Sequence, residues 1–182
     1  IHVKRQNMDR ILIVFSTTDG HTQKICNRLK AVIEEDGHQV VVRAITDTPE
    51  PDLRAFDRIV IGASIRYGKH QPQVYDFIER HLTLLESKAN AFFTVNIVAR
   101  KANKNQPQTN PYLQKFLRLT AWRPTELAVF AGKLNYPIYG FLDRQMIRLI
   151  MLITRGPTDP STVVEFTDCA RVDDFARRVC RM

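Results

Sequence analysis

The sequence predicts a doubly wound α/β fold, with five parallel strands in one sheet and helices on both of its faces. Two observations lead there. Short apolar runs rich in β-branched residues recur along the chain, and between them lie stretches whose apolar residues repeat at helical spacing. Strands alternating with helices in this way form βαβ units around a parallel sheet. Right-handed crossovers then put helices on both faces. At 182 residues the chain is long enough for one domain with a proper core.

The elements follow in order. Ile11-Leu12-Ile13-Val14-Phe15 is continuous and β-branched-rich, as in a strand buried on both faces. After a polar loop, Ile25, Leu29, Val32 and Ile33 share a helical stripe, and Gly37 stands where a helix end favours glycine. Gln39 to Ala44 is a second strand and Arg58 to Ala63 a third. Val74, Phe77, Ile78, His81, Leu82 and Leu85 repeat as on a helix, and a fourth strand runs from about Ala91 to Val98. Arg100 to Pro111 is rich in Asn, Gln and Pro and reads as a loop, with a short helix from Tyr112 to Leu119 after it. Leu127 to Ala131 is the fifth strand. Asp168 to Cys180 is the last helix, with Val172, Phe175, Ala176 and Val179 inward. Residues 8–182 are thus expected to be one domain. Residues 1–7, upstream of Met8, are expected to be a leader that takes no part in it. Five such strands suit the order 2-1-3-4-5, whose ligand crevice lies at the carboxyl ends of strands one and three, beside strand four. One stretch exceeds the minimal plan. Gly132 to Pro160, between the fifth strand and the last helix, is longer than usual connections, and Ile138 to Ile153 within it is strongly apolar.

Composition narrows the function. Lys and Arg outnumber Asp and Glu by 27 to 19, a net charge of +8, which favours an anionic partner. Cys26, Cys169 and Cys180 are odd in number and lack metal-ligand spacing, so neither a disulfide framework nor a metal site is expected. No apolar run is long enough to span a bilayer. His21, His38, His70 and His81 are scattered and form no catalytic constellation.

The loop Ser16-Thr17-Thr18-Asp19-Gly20-His21-Thr22 joins the first strand to the first helix. It carries four hydroxyls, one glycine and no Lys or Arg. Hydroxyls and the free N–H groups of a helix start hold a phosphate there; the alternative is a polar turn with a threonine cap. Without GK[ST] it is not a P-loop, and without GxGxxG a Rossmann dinucleotide site is not expected.

This loop, with the stretch Val60 to Gly68, resembles the FMN loops of flavodoxins. Ile61-Gly62-Ala63-Ser64-Ile65-Arg66-Tyr67-Gly68, Val95-Asn96-Ile97-Val98-Ala99-Arg100-Lys101, Pro107-Gln108-Thr109-Asn110 and Gln145 to Met151 resemble, more specifically, the bacterial menaquinone-dependent protoporphyrinogen IX oxidases. That resemblance implies FMN as cofactor, protoporphyrinogen IX as substrate, and menaquinone or ubiquinone as acceptor. It implies that Ser16 to Thr22 hold the flavin phosphate. The ring then lies between Ser64, Ile65, Arg66, Tyr67 and Gly68 on one side and Asn96, Ile97, Val98, Ala99 and Arg100 on the other. Tyr67 is expected to stack on the ring; residues 96–101 offer no aromatic for its second face. The substrate carries two propionates, which Arg66, Arg100 and Lys101 are expected to bind; Lys133 follows the fifth strand. The flavin carries the chemistry, and no catalytic acid or base is assigned.

On the insert's helical wheel, Arg144, Arg148 and Arg155 fall within roughly 40° of one another, at about 100° per residue. The rest is nearly all apolar. Such a helix lies at a lipid interface, with Phe141, Leu142, Ile147, Leu149, Ile150 and Ile153 as the expected contacts; the alternative is a helix packed on the sheet. A quinone acceptor and the basic charge favour an anionic membrane surface on the cytoplasmic side, with no nucleic acid partner. The rival readings are a flavodoxin-type electron carrier, an NAD(P)H:quinone reductase of the same fold and a basic nucleic-acid-binding domain.

Overall fold

The computed structural model describes residues 7–182, so most of the expected leader lies outside the described residues. The sheet is built from β1 (Arg10–Ser16), β2 (Gln39–Ala44), β3 (Arg58–Arg66), a two-residue β4 (Lys69–His70), β5 (Ala89–Asn96) and β6 (Glu126–Ala131). Its order is β2-β1-β3-β5-β6, all parallel, with β4 folding back antiparallel on β3. With β4 set aside, this is the expected order 2-1-3-4-5.

Strand β1 explains the two layers. Ile11, Ile13 and Phe15 belong to one core cluster with Ile25 and Leu29 of helix α1 (His21–Glu35). Leu12 and Val14 belong to the other, with Val74 and Phe77 of α2 (Pro72–Ser87) and Leu113 and Phe116 of α3 (Pro111–Leu119). Successive side chains of a strand point to opposite faces, so an unbroken apolar run feeds both cores. A Cβ on Gly62 would fall inside the ring of Phe93, so only glycine lets that ring cross β3.

Two differences from the sequence reading bear on the site. The fourth strand ends at Asn96 and not at Val98, because the Asn96 side chain accepts the Ala99 N–H at 3.0 Å and starts a 3₁₀ turn over Ile97–Arg100. The long insert is structured. It runs through β7 (Lys133–Asn135), α4 (Phe141–Ile153) and β8 (Val163–Glu165), with β7 and β8 paired antiparallel. It has a small core of its own in Leu134, Tyr136, Tyr139 and Met151. The last helix, α5 (Cys169–Arg181), returns beside α1.

Candidate functional site

A cleft of about 1070 Å³, its open mouth included, lies at the carboxyl ends of β1, β3, β5 and β6. That is where doubly wound sheets place ligands, and the size suits a small organic molecule. Its floor begins with the loop after β1. Gly20 caps α1 in the left-handed region at φ 82°, and no side chain caps the helix, so the expected alternative of a threonine cap does not hold. Thr17 Oγ1 instead accepts the Gly20 N–H at 2.9 Å inside the loop. The first turn of α1 carries no acid, and its leading amides point to the cleft end of the sheet. The hydroxyls of Ser16, Thr22 and Ser64 are buried without a partner. Buried polar atoms are normally paired, so three orphaned hydroxyls around one helix start suit an anionic group such as a phosphate.

Thr17, Thr18, Asp19, His21 and Thr22 line this floor; Ser16 is buried behind it, and Gly20 sits at the cap. Ser64, Ile65, Arg66, Tyr67 and Gly68 line one side. Tyr67 at φ 51° and Gly68 at φ 74° are the two central residues of the β3–β4 hairpin, since Arg66 pairs with Lys69. Two positive φ angles in succession make a turn whose twist suits a hairpin. Glycine adopts it freely, whereas a tyrosine there is strained, a feature of binding sites. The strain holds a half-exposed ring at the mouth.

Arg66 is the hub of the cleft. It pairs with Asp19 at 3.0 Å and with Asp143 of α4 at 2.5 Å, between the rings of Tyr67 and Tyr139, each 5.5 Å from the guanidinium. Burial opposes its charge, but the two carboxylates outweigh burial and raise its pKa above the ordinary arginine value. It therefore bolts the insert to the loop after β1.

The side formed by β5 departs from expectation. Asn96, Ile97 and Val98 line the cleft. The Asn96 amide, however, is engaged in a buried reciprocal pair with Asn110 at 3.0 and 3.2 Å, which fixes the loop to the start of α3. Ala99 points into the core, and Arg100 and Lys101 lie off the cleft. Arg100 donates to Ile97 O at 3.1 Å and to Thr154 O and Oγ1 at 2.9 and 3.0 Å, pinning the 3₁₀ turn to the end of α4. Neither Arg100 nor Lys101 is in position to orient a ligand there.

The insert makes the far wall, which the sequence reading missed beyond Lys133, a basic residue near the crevice. Lys133, Leu134, Ile138, Tyr139, Ile147 and Ile150 all line the cleft. Ile147 and Ile150, expected in lipid, are half-buried against Met151 and the insert's core, a correction to that expectation. The other expected contacts stand outside: Phe141 is 73% exposed, Leu142 80%, Leu149 52% and Ile153 73%. The missed signal was positional, because an insert that leaves the end of β6 starts at the crevice. Tyr112 of α3 also faces the cleft, and burial raises its pKa.

His21 donates through Nε2 to Thr167 Oγ1 at 2.7 Å, since the Thr167 proton goes to Ala131 O. Burial lowers its pKa, which favours the neutral ring. At the far end of the sheet, Asp36, His38 and Cys180 gather their ligand atoms within 4.8 Å. His38 Nδ1 accepts the Asp9 N–H, which puts the ring proton on Nε2 towards Asp36, and burial pushes the Cys180 thiol up to about 11.

Residues 12–161 match the flavodoxin domain family. The chain belongs to that family. It is 44% identical over 173 residues to the protoporphyrinogen IX dehydrogenase (quinone) of Escherichia coli strain K12, covering 95% of this chain and 96% of the relative. It is 39% identical over 168 residues to the enzyme of the same name from Leishmania major, covering 92% of this chain and 73% of that one. In fold it resembles the oxidised flavodoxin 2 of Bacillus cereus, at a TM-score of 0.54 and 16% identity, over 94% of this chain and 98% of that one. The flavodoxin fold accounts for the sheet and the loops after β1, β3 and β5.

Proposed function

We propose that the chain binds FMN and oxidises protoporphyrinogen IX to protoporphyrin IX, passing the electrons to a membrane quinone. The observation that carries this reading is the 44% identity to a quinone-linked protoporphyrinogen IX dehydrogenase over 95% of the chain. The site supports it. The hydroxyls of Thr22 and Ser64 and the first amides of α1 would hold the phosphate. The backbone at Gly68, Ile97 and Val98 and the Tyr67 ring would hold the flavin ring. Bound FMN supplies a two-electron acceptor, which a six-electron oxidation uses three times. The protein orients the substrate and keeps water from the ring, with Ile138, Tyr139, Ile147 and Ile150 as an apolar wall.

Helix α4 has two jobs in this reading. Its inner face closes the cleft, and its outer face of Phe141, Leu142, Leu149 and Ile153 rests on an anionic membrane on the cytoplasmic side. No helix among the described residues is long and apolar enough to cross a membrane.

The test is a flavin-fluorescence titration followed by a porphyrin-fluorescence assay with and without quinone. Wild type is expected to bind FMN and to need quinone for sustained turnover. Thr22→Ala, which removes one orphaned hydroxyl, is expected to weaken FMN binding about tenfold. Flavin binding without quinone-linked turnover would instead make the chain an electron carrier, and no flavin binding at all would end the redox reading.

A further inference from the structure

Resting on that reading, we propose that Lys133 is the residue that receives a carboxylate of the substrate. A porphyrinogen with two propionates brings two negative charges, and a partly dry cleft must answer them. Among the described residues, two side chains of permanent positive charge line the cleft, Arg66 and Lys133. Arg66 is already paired with two carboxylates, Asp19 and Asp143. A propionate added there would be a third anion on one cation, repelled by the two already present. Arg100 spends its guanidinium on Ile97 and Thr154, away from the cleft.

Lys133 forms no ion pair among the described residues: Glu165, opposite it in the β7–β8 register and near enough to feel its charge, is held by Lys24 at 2.8 Å. It starts the strand that leaves Gly132, whose N–H is fixed to Asn96 O at 3.2 Å, so its backbone is anchored to the end of β5 where the flavin ring would lie. The competing anion is the flavin phosphate, because Lys133 lies near enough to His21 at the head of α1 to contribute to lowering its basicity. The phosphate has other donors in the Thr22 and Ser64 hydroxyls and the first amides of α1. The lysine is therefore left for the substrate.

The experiment compares wild type, Lys133→Gln and Lys133→Arg, each reconstituted with FMN. It uses protoporphyrinogen and its dimethyl ester at saturating quinone, with a separate FMN titration. Lys133→Gln is expected to raise KM for the diacid about ten- to hundredfold, the worth of one charge-assisted hydrogen bond. Lys133→Arg is expected to restore most of it. The diester offers no carboxylate, so the gap between wild type and variant should close on it. An equal effect on diacid and diester overturns the proposal, as does a loss of FMN affinity with no change in the diacid-to-diester ratio, which assigns the lysine to the phosphate. If wild type oxidises neither porphyrinogen, the functional reading fails by itself. The lysine is then judged by equilibrium binding of protoporphyrin against its diester, where the same selective loss supports the proposal and its absence overturns it.

Discussion

His70 is the residue whose chemistry is most altered by the fold. It sits on β4 with its Nε2 2.8 Å from Thr94 Oγ1, edge-on to Tyr75, Phe92 and Phe116. Burial, helped by Lys115, lowers its pKa from 6.5 to about 4. The folded protein refuses a proton that the unfolded chain accepts, so its contribution is present above the unfolded value and is lost as pH falls from about 6.5 towards 4. Between about pH 7.5 and pH 5 this one group should cost about 2 kcal/mol of stability. Urea melts at the two pH values should record that loss in wild type and a flatter response in His70→Gln; equal slopes would count against it. Nothing local announces this residue, because its aromatic surroundings come from α2, β5 and α3. The same limit applies to Arg66. Its place on a flavin loop is legible from the strand before it, but its partners Asp19 and Asp143 lie 47 and 77 residues away. The hydroxyl loop was legible because its chemistry is contiguous in the chain.

Elements were easier to read than their faces. The five parallel strands are visible as short, β-branched-rich apolar runs and the helices of the flavodoxin core as a period of 3.6. Helix α4 was visible too, yet it is apolar nearly all round, and such a pattern does not say which side meets protein. Folding resolves it: Ile147, Ile150 and Met151 turn to the cleft and the insert's core, while Phe141, Leu142, Leu149, Leu152 and Ile153 remain outside. Substitutions on the two sides should therefore separate. Leu142→Glu with Leu149→Glu places charge on exposed positions, so stability should change by less than about 1 kcal/mol, while sedimentation with vesicles is lost. Ile150→Glu buries an unpaired carboxylate beside Met151 and should destabilise the protein by about 2 kcal/mol or more. If the outer pair unfolds the protein as readily as Ile150→Glu does, α4 is a packed helix and not a lipid contact.

At the scale of the whole molecule, the proposed membrane contact would draw on the outer face of α4 and on the net charge of +8 by different physics. Apolar burial in a lipid interface is indifferent to salt, whereas attraction of a basic protein to anionic headgroups decays within a Debye length of about 8–10 Å at physiological salt. The charge is also distributed unevenly for this purpose. Arg144 and Arg148 on α4 are tied by hydrogen bonds to Tyr139 O and Thr158 O, while Arg155 is exposed just past the helix end. Basic side chains near a membrane contribute about 1 kcal/mol each. Binding to vesicles containing anionic lipid should therefore weaken by at least about tenfold between about 0.02 M and 0.5 M salt. Binding to neutral vesicles should start weaker and stay constant over that range. The Leu142→Glu, Leu149→Glu pair should abolish the neutral-vesicle binding and leave a purely salt-dependent residue on anionic vesicles. A salt response equally steep on both vesicle types would mean that charge and the apolar helix do not divide the work in this way, and the basic surface would then need another anionic partner.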